Sequence, residues 1–306
     1  MTCDLLIIGG GPAGVAAGIY AARKKIKTAL IADSFGGQSL VSDDIQNWIG
    51  DKSISGFELA KKLEEHLRAQ EGIEIMSGDL AIKVEKSGSG FLVGTKNGKA
   101  IETKTILIAS GSRRRKLGIP GEKEYEGKGV AYCATCDAPV FGGKTVAVVG
   151  GGNAGLESVL DLISYATKIY LLEYTGALKG DVVTQEKVKS SPKVEIVLNA
   201  KAMEVVGAQF VTGIKYENQL TKEMKELPVD GVFVEIGSVP NSDFVKDLVQ
   251  LSKLGEIVVD HKTQMSSLPG IWAAGDVSDV LYKQNNISAG DAVKAVLNIY
   301  DYLNKT

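Results

Sequence analysis

Two stretches of the chain carry the same succession of apolar and polar positions. DLLIIGGGPAGVAAGIYAARKKIKTALIADS starts at Asp4, and TVAVVGGGNAGLESVLDLISYATKIYLLEYT starts at Thr145. Each opens on a short apolar run, within Asp4–Ile8 and Thr145–Val149, the pattern of a strand buried on both faces. A glycine cluster follows, then a helical stretch rich in small residues, then a second apolar run that ends in an acid. The acids are Asp33, 19 residues after Gly14, and Glu173, 18 after Gly155. Two other segments, TILIASGS (Thr105–Ser112) and SLPGIWAAGDVSD (Ser267–Asp279), read as buried strands running into glycine turns. Asp276 falls just past the second of these. Its position suits a helix N-cap, or a carboxylate offered to a ligand hydroxyl at the carboxyl edge of a parallel sheet, and both readings stand.

The repeated glycines are spaced G-x-G-x-x-G: Gly9, Gly11 and Gly14, then Gly150, Gly152 and Gly155. The first of each set allows a tight turn, the second lets backbone N–H groups approach a pyrophosphate, and the third lets helix and strand pack closely. The helix N-terminus then faces the phosphates, and the acid accepts a ribose diol. One such motif is weak evidence. Two copies in full strand–turn–helix–strand context predict two βαβ units and two dinucleotides, of which a flavin and a nicotinamide are the usual pair.

Composition narrows the classes. In 306 residues the net charge is −2, so no long-range field draws nucleic acid or an anionic membrane. The apolar runs are too short to span a bilayer, and the N-terminus reads as a first strand rather than a signal peptide. Glycine is abundant, 36 residues, and placed at turns rather than in a tract. Three cysteines build no disulphide framework, which predicts a reducing compartment, the cytoplasm. Two of them stand in AYCATCDAP as Cys133 and Cys136. By itself the pair is half a metal site, a staple or an electron-transfer device. Zinc needs two more soft ligands, and only the isolated Cys3, His66 and His261 remain, so no metal is expected. Beside a βαβ unit, CxxC reads as a redox pair. Cys3 reads as a packing residue, His66 lies in a charged helical stretch, His261 in a polar turn, and Arg113–Lys116 as solvated surface.

The chain resembles the low-molecular-weight thioredoxin reductases over essentially its whole length. GGGPAG, FGGQ (Phe35–Gln38), IQNW (Ile45–Trp48), CATCDA, GGGNAG, IGSVPN (Ile236–Asn241), WAAGD and YKQNNISAG (Tyr282–Gly290) carry the likeness. CATC is the most specific, with Cys136 14 residues before Gly150. The second half, through LLEYTGALKGD, is most similar to the flavoprotein core of the alkyl hydroperoxide reductase flavoprotein subunit. That subunit has an additional N-terminal thioredoxin-like region, which this chain is expected to lack. The resemblance implies an α/β fold of two Rossmann-like, three-layer ββα dinucleotide-binding domains. An FAD domain of 1–113 and 243–306 is interrupted by a nucleotide domain of 114–242 that carries the CxxC pair. The Gly- and Pro-containing segments GSRRRKLGIPGE and EIGSVPNSD would act as hinges on which the inserted domain rotates.

Residue by residue, the resemblance implies FAD on Gly9, Gly11, Pro12, Ala13, Gly14, Asp33, Gly37, Gln38, Asn47, Asp276 and Gln284. The nicotinamide nucleotide falls on Gly152, Asn153, Ala154, Gly155, Glu157 and Glu173, with Ile236 and Gly237 on its far side. NADPH-using members have a His-Arg-Arg cluster after the second strand. Glu173 stands in that region here, which predicts NADH over NADPH; Lys168 and Lys179 are the nearby cations that would favour a phosphate. Electrons are expected to pass from NADH through FAD to the Cys133–Cys136 disulphide, then by thiolate exchange to a protein disulphide. By the same resemblance Cys136 faces the flavin, Cys133 attacks the partner and Asp137 is the acid, although Ala138 replaces the family's usual glycine. A thioredoxin-like or glutaredoxin-like partner, or a peroxiredoxin-reducing module, and a homodimer are implied. Competing readings are a ferredoxin-dependent enzyme of the same fold, an NADH oxidase, and a non-catalytic redox sensor.

Overall fold

The computed structural model describes residues 1–42 and 45–305. The chain forms two compact units: Met1–Leu40, Asn47–Arg113 and Val239–Thr306 make the first, and Val41–Gln46 with Arg114–Ser238 the second. Both have parallel strands arranged around a central one that runs into a glycine turn.

In the first unit β1 (Thr2–Ile8) leads through the glycine turn into α1 (Pro12–Arg23) and β2 (Thr28–Ala32). Next come α2 (Gly56–Arg68), β3 (Ile73–Ser77), the hairpin β4 (Ala81–Ser87) and β5 (Gly90–Thr95), and the long β6 (Ala100–Ile108). The chain leaves through β7 (Ser112–Arg114). The second unit contains β8 (Val130–Ala131), α3 (Ala134–Asp137), β9 (Thr145–Val149), α4 (Asn153–Ile163), β10 (Lys168–Leu172), α5 (Val182–Ser190) and β11 (Val194–Val197). An antiparallel sheet of β12 (Ala200–Gly207), β13 (Val211–Asn218) and β14 (Met224–Pro228) follows, then β15 (Gly231–Val234). After β16 (Ser238–Pro240) the chain completes the first unit with β17 (Val259–Asp260), β18 (Met265–Ser266), β19 (Ile271–Ala273) and α6 (Asn285–Leu303).

The parallel strands of the first unit run in the order β3-β2-β1-β6-β19, and those of the second β11-β10-β9-β15-β8. In each, the strand that runs into the glycine turn is central and the chain order reverses beside it, the switch point where open α/β sheets bind ligands. The uninterrupted apolar runs are explained by burial on both faces. Leu5 and Ile7 pack against α1 and α6, while Leu6 and Ile8 pack under the β4–β5 side. In the second unit Val146 and Val148 meet α4, and Ala147 and Val149 meet the β12–β14 layer. Each unit is therefore helix on parallel sheet on antiparallel strands. The fold class is α/β with two Rossmann-like domains.

The glycine turns are required sterically. Gly9 (φ +126°) and Gly150 (φ +123°) are in backbone conformations that side chains disfavour. A Cβ on Gly14 would run into the carbonyl oxygen of Gly9, and one on Gly155 into that of Gly150. Gly14→Ala should therefore destabilise the first unit by about 1–3 kcal/mol through overpacking. A fall in the thermal unfolding midpoint checks this; an unchanged midpoint means the close approach is not a constraint.

Candidate functional site

The first unit has a cleft of ≈ 750 Å³ at its switch point, within the range of cofactor sites. Of the predicted residues, Gly9, Gly11, Pro12, Ala13, Asp33, Gly37, Gln38 and Asp276 line it. Gly14 lies behind, buried against Gly9. Asn47 and Gln284 pair with each other outside this lining: Asn47 Nδ2 donates to Gln284 Oε1 at 3.3 Å. Asn286 Nδ2 donates to the Asn47 carbonyl at 2.7 Å, a partner the sequence did not single out. Asp276 caps no α-helix. It sits within a single 3₁₀ turn, Gly275–Val277, at the cleft, near the Ser288 hydroxyl at 3.5 Å. Leu80, Ile82 and Phe244 also line the cleft without any motif to announce them, and Ser288 lines it from the YKQNNISAG stretch.

Three features fit a dinucleotide here. Gly11 is the N-cap of α1, and no side chain of the described residues caps that helix end. A Cβ on Gly11 would meet only the Gly37 Cα, at 3.9 Å, so packing within the protein does not require glycine there. Asp33, at the end of β2, is exposed and faces the cleft. The N–H groups at the head of α1 suit phosphate, and Asp33 suits a diol.

The second unit repeats the arrangement with one change. Gly152 is the N-cap of α4, again without a side-chain cap, and a Cβ there would meet nothing within 4 Å. Asn153, Ala154 and Glu157 are exposed on the first turns of α4, and Gly155 is buried. Ile236 lies beside Gly150, and Gly237 has φ +97°. Glu173, unlike Asp33, is turned inward and buried. Its Oε2 accepts the Gly151 N–H at 2.8 Å, and its Oε1 accepts the Thr175 N–H at 2.8 Å and hydroxyl at 2.6 Å. Burial opposes its ionisation, yet those donors, with Lys179, hold the carboxyl below the usual carboxylate range. Lys179 sits at the loop, its N–H on the Gly151 carbonyl. Lys168 pairs instead with Glu195 on β11, 2.8 Å away.

Cys133 is the N-cap residue of α3 and Cys136 lies within it. The two form a disulphide with Cα atoms 5.4 Å apart. The Cys136 and Asp137 N–H groups both donate to the Cys133 carbonyl, at 3.3 and 3.0 Å. Thr135 ties the short helix to α4 through Asp161 Oδ2 at 2.8 Å. Before it, buried Tyr132 donates its hydroxyl to Glu122 Oε1 at 3.1 Å. Ala138 has φ −52° and ψ −38°, a helical conformation open to any residue, and its methyl is buried in the core. Alanine in place of glycine therefore leaves the turn after Asp137 undisturbed. Cys3 is a free, buried thiol, pushed up in pKa first by burial. Among the described residues no cluster of His, Cys, Asp and Glu is arranged to hold a metal, and no helix is long and apolar enough to cross a membrane.

Two glycine-loop units on parallel sheets, the second carrying a CxxC disulphide, define a two-domain protein of the dinucleotide-binding class. The chain belongs to the pyridine nucleotide-disulphide oxidoreductase family, whose model matches residues 3–294. Membership implies FAD and NAD(P)H as cofactors. The chain is 45% identical over 307 residues to an alkyl hydroperoxide reductase subunit of Pseudomonas aeruginosa, covering 99% of this chain and 58% of that protein. It is 43% identical over 300 residues to a protein named NADH dehydrogenase in Bacillus subtilis, covering 98% of this chain and 58% of that one. The chain thus spans less than two thirds of the length of these relatives. The solved thioredoxin reductase of Streptococcus pyogenes matches with a TM-score of 0.92 at 34% identity, covering 100% of this chain and 99% of that structure.

Because Gly11 has no steric duty to the protein, Gly11→Ala should leave the thermal midpoint of the flavin-free protein unchanged yet weaken FAD retention about tenfold, the effect of a methyl in a close contact. Flavin absorbance per purified chain reads the outcome. Full retention would remove Gly11 from the phosphate cradle.

Proposed function

We propose that this chain is an NADH-dependent, FAD-containing reductase of protein disulphides, acting on a small thioredoxin-like or glutaredoxin-like partner. The carrying observation is the closed Cys133–Cys136 disulphide, placed on the element that leads into the glycine-loop strand of the second unit. Bound FAD supplies the exchange between nicotinamide hydride and sulphur chemistry. Gly9, Gly11, Pro12, Ala13, Asp33, Gly37, Gln38 and Asp276 hold it in their cleft. Gly14 packs behind them, and the Asn47–Gln284 pair completes the set. The first unit is then the FAD domain, interrupted by the nucleotide domain.

In the second unit the uncapped head of α4, from Gly152 to Gly155 with Glu157, takes the nicotinamide dinucleotide, and Ile236 and Gly237 flank it. Glu173 supports NADH over NADPH. Its carboxylate is fixed and ionised against the glycine loop, where an added phosphate dianion would meet like charge. The reduced pair then transfers electrons by thiolate attack through a mixed disulphide. Cys133 is the attacking sulphur, Cys136 its internal partner, and Asp137 the group that protonates a released thiolate. A homodimer in the cytoplasm completes the proposal on the strength of the family resemblance.

The Bacillus subtilis relative's name favours a second reading, NADH oxidation with a non-protein acceptor. Cys133→Ser separates the two: it should abolish NADH-driven reduction of a thioredoxin disulphide while NADH oxidation by ferricyanide continues. Persistence of thioredoxin reduction in this variant would refute the role of the pair. For the nucleotide, kcat/KM should favour NADH by ~10-fold or more, as like-charge juxtaposition costs several kcal/mol. Glu173→Gln should narrow that ratio; a higher kcat/KM with NADPH in the unaltered protein would overturn the reading of Glu173.

A further inference from the structure

Between β3 and β4 the chain of the first unit passes from the parallel sheet to the antiparallel hairpin, and there Leu80, Ala81 and Ile82 line the cleft. Leu80 and Ile82 are 41% and 57% exposed, although both are large and apolar. The strand ladder does not hold this stretch in place. Ala81 pairs with Thr95 and Lys83 with Gly94, so Ile82 is an extra residue without a ladder partner, a β-bulge. Val84, two residues on, is buried in the core, and in a regular strand Ile82 would share its face. The bulge instead leaves Ile82 at the cleft.

A buried carboxylate takes over what the ladder does not do. Asp79 is only 2% exposed. Its Oδ1 accepts the Leu80 N–H at 2.9 Å and the Asn97 N–H at 3.0 Å, and its Oδ2 accepts the Thr95 hydroxyl at 2.8 Å. Around it the Lys96 N–H donates to the Leu80 carbonyl at 2.8 Å, and Asn97 Nδ2 to the Gly78 carbonyl at 3.1 Å. The start of the wall is thereby tied to the turn between β5 and β6. The same segment is tied to β2. The Gly78 and Asp79 N–H groups donate to the Ala32 carbonyl at 2.9 and 3.4 Å, and Asp33, the next residue, lines the cleft. Burial opposes ionisation of Asp79, yet the Thr95, Asn97 and Leu80 donors, with Lys99, hold its carboxyl below the usual carboxylate range. A connection between two strands needs no buried charge, which is costly unless fully bonded. What this one adds is a fixed position for Leu80–Ile82 beside Asp33.

We propose that Asp79 is a positioning residue for the bound dinucleotide: it fixes Leu80 and Ile82 as an apolar wall for the nucleoside whose ribose Asp33 takes, and so slows the release of FAD. Asp79 does not itself line the cleft and acts through that wall. This deepens, and rests on, the reading of the cleft as the FAD site.

The test follows FAD release from the loaded full chain, read as the rise in flavin fluorescence after dilution, at a temperature well below unfolding. Asp79→Ala should release FAD roughly tenfold faster, the scale of leaving two side chains and their loop to be ordered again on binding. Leu80→Ala combined with Ile82→Ala should by itself accelerate release about tenfold, for the same reason. Adding Asp79→Ala to that pair should change the rate little, because residues that act through one contact are not additive. The pair occupies exposed positions and carries the test if Asp79→Ala does not fold. Asn298→Ala is the control. It removes the acceptor that the Trp272 Nε1–H reaches at 3.0 Å in the core of the same unit, outside the cleft lining. It should lower the thermal midpoint and leave release unchanged. Equal acceleration by Asn298→Ala and Asp79→Ala marks a general loosening of the unit and overturns the proposal. So does an unchanged rate in the Leu80 and Ile82 pair, or a full further acceleration when Asp79→Ala is added to it. Unaltered protein that takes up no flavin overturns the FAD reading instead, which separates the two failures.

Discussion

The contact on which both units depend is the close approach of a helix to the strand before it. Gly14 sits on the Gly9 carbonyl and Gly155 on the Gly150 carbonyl, with no room for a methyl group. This draws each helix head onto the carboxyl edge of its sheet and directs uncapped N–H groups outward. Everything proposed for cofactor binding follows from that placement. The middle glycines, Gly11 and Gly152, contribute differently, since the protein leaves space around them. Their lack of a side chain is not required by packing within the protein, which is why the proposed function gives them to a ligand.

The two copies of the unit show how one frame supports different chemistry. Asp33 and Glu173 end equivalent strands, yet Asp33 is exposed at a cleft while Glu173 is buried and bonded to its own glycine loop. Ala109 and Glu235 occupy equivalent places beside the glycine turns, and only the second has an ionisable side chain. The divergence falls in side chains at the carboxyl edge, while the strands around each glycine turn keep the same arrangement.

Much of this fold was legible in the chain because burial on two faces leaves a distinctive signature. Asp4–Ile8 and Thr145–Val149 read as strands since every residue in their apolar runs faces one core or the other. The antiparallel layers were far less legible. β12–β14 and the β4–β5 hairpin mix buried with exposed positions, so no apolar run announces them. In the candidate cleft, Gly9, Gly11 and Asp33 belong to a spaced motif, whereas Leu80, Ile82 and Phe244 come from segments with no local signal.

Residue order alone was enough for the duplicated strand–glycine–helix–strand unit, the acid after each second strand and the CxxC pair, because these are short-range features within one stretch of backbone. Folding in three dimensions was needed to show that Glu173 commits its carboxylate to Gly151 and Thr175, that Asp276 lies in a 3₁₀ turn at the cleft, and that Ala138 needs no glycine-like backbone. It was needed above all for Glu235, an acid that the fold buries to 6% exposure just past β15. The reason is physical: spacing governs which way a backbone can turn, but a side chain's burial, partners and charge state are set by whatever the distant strands bring against it.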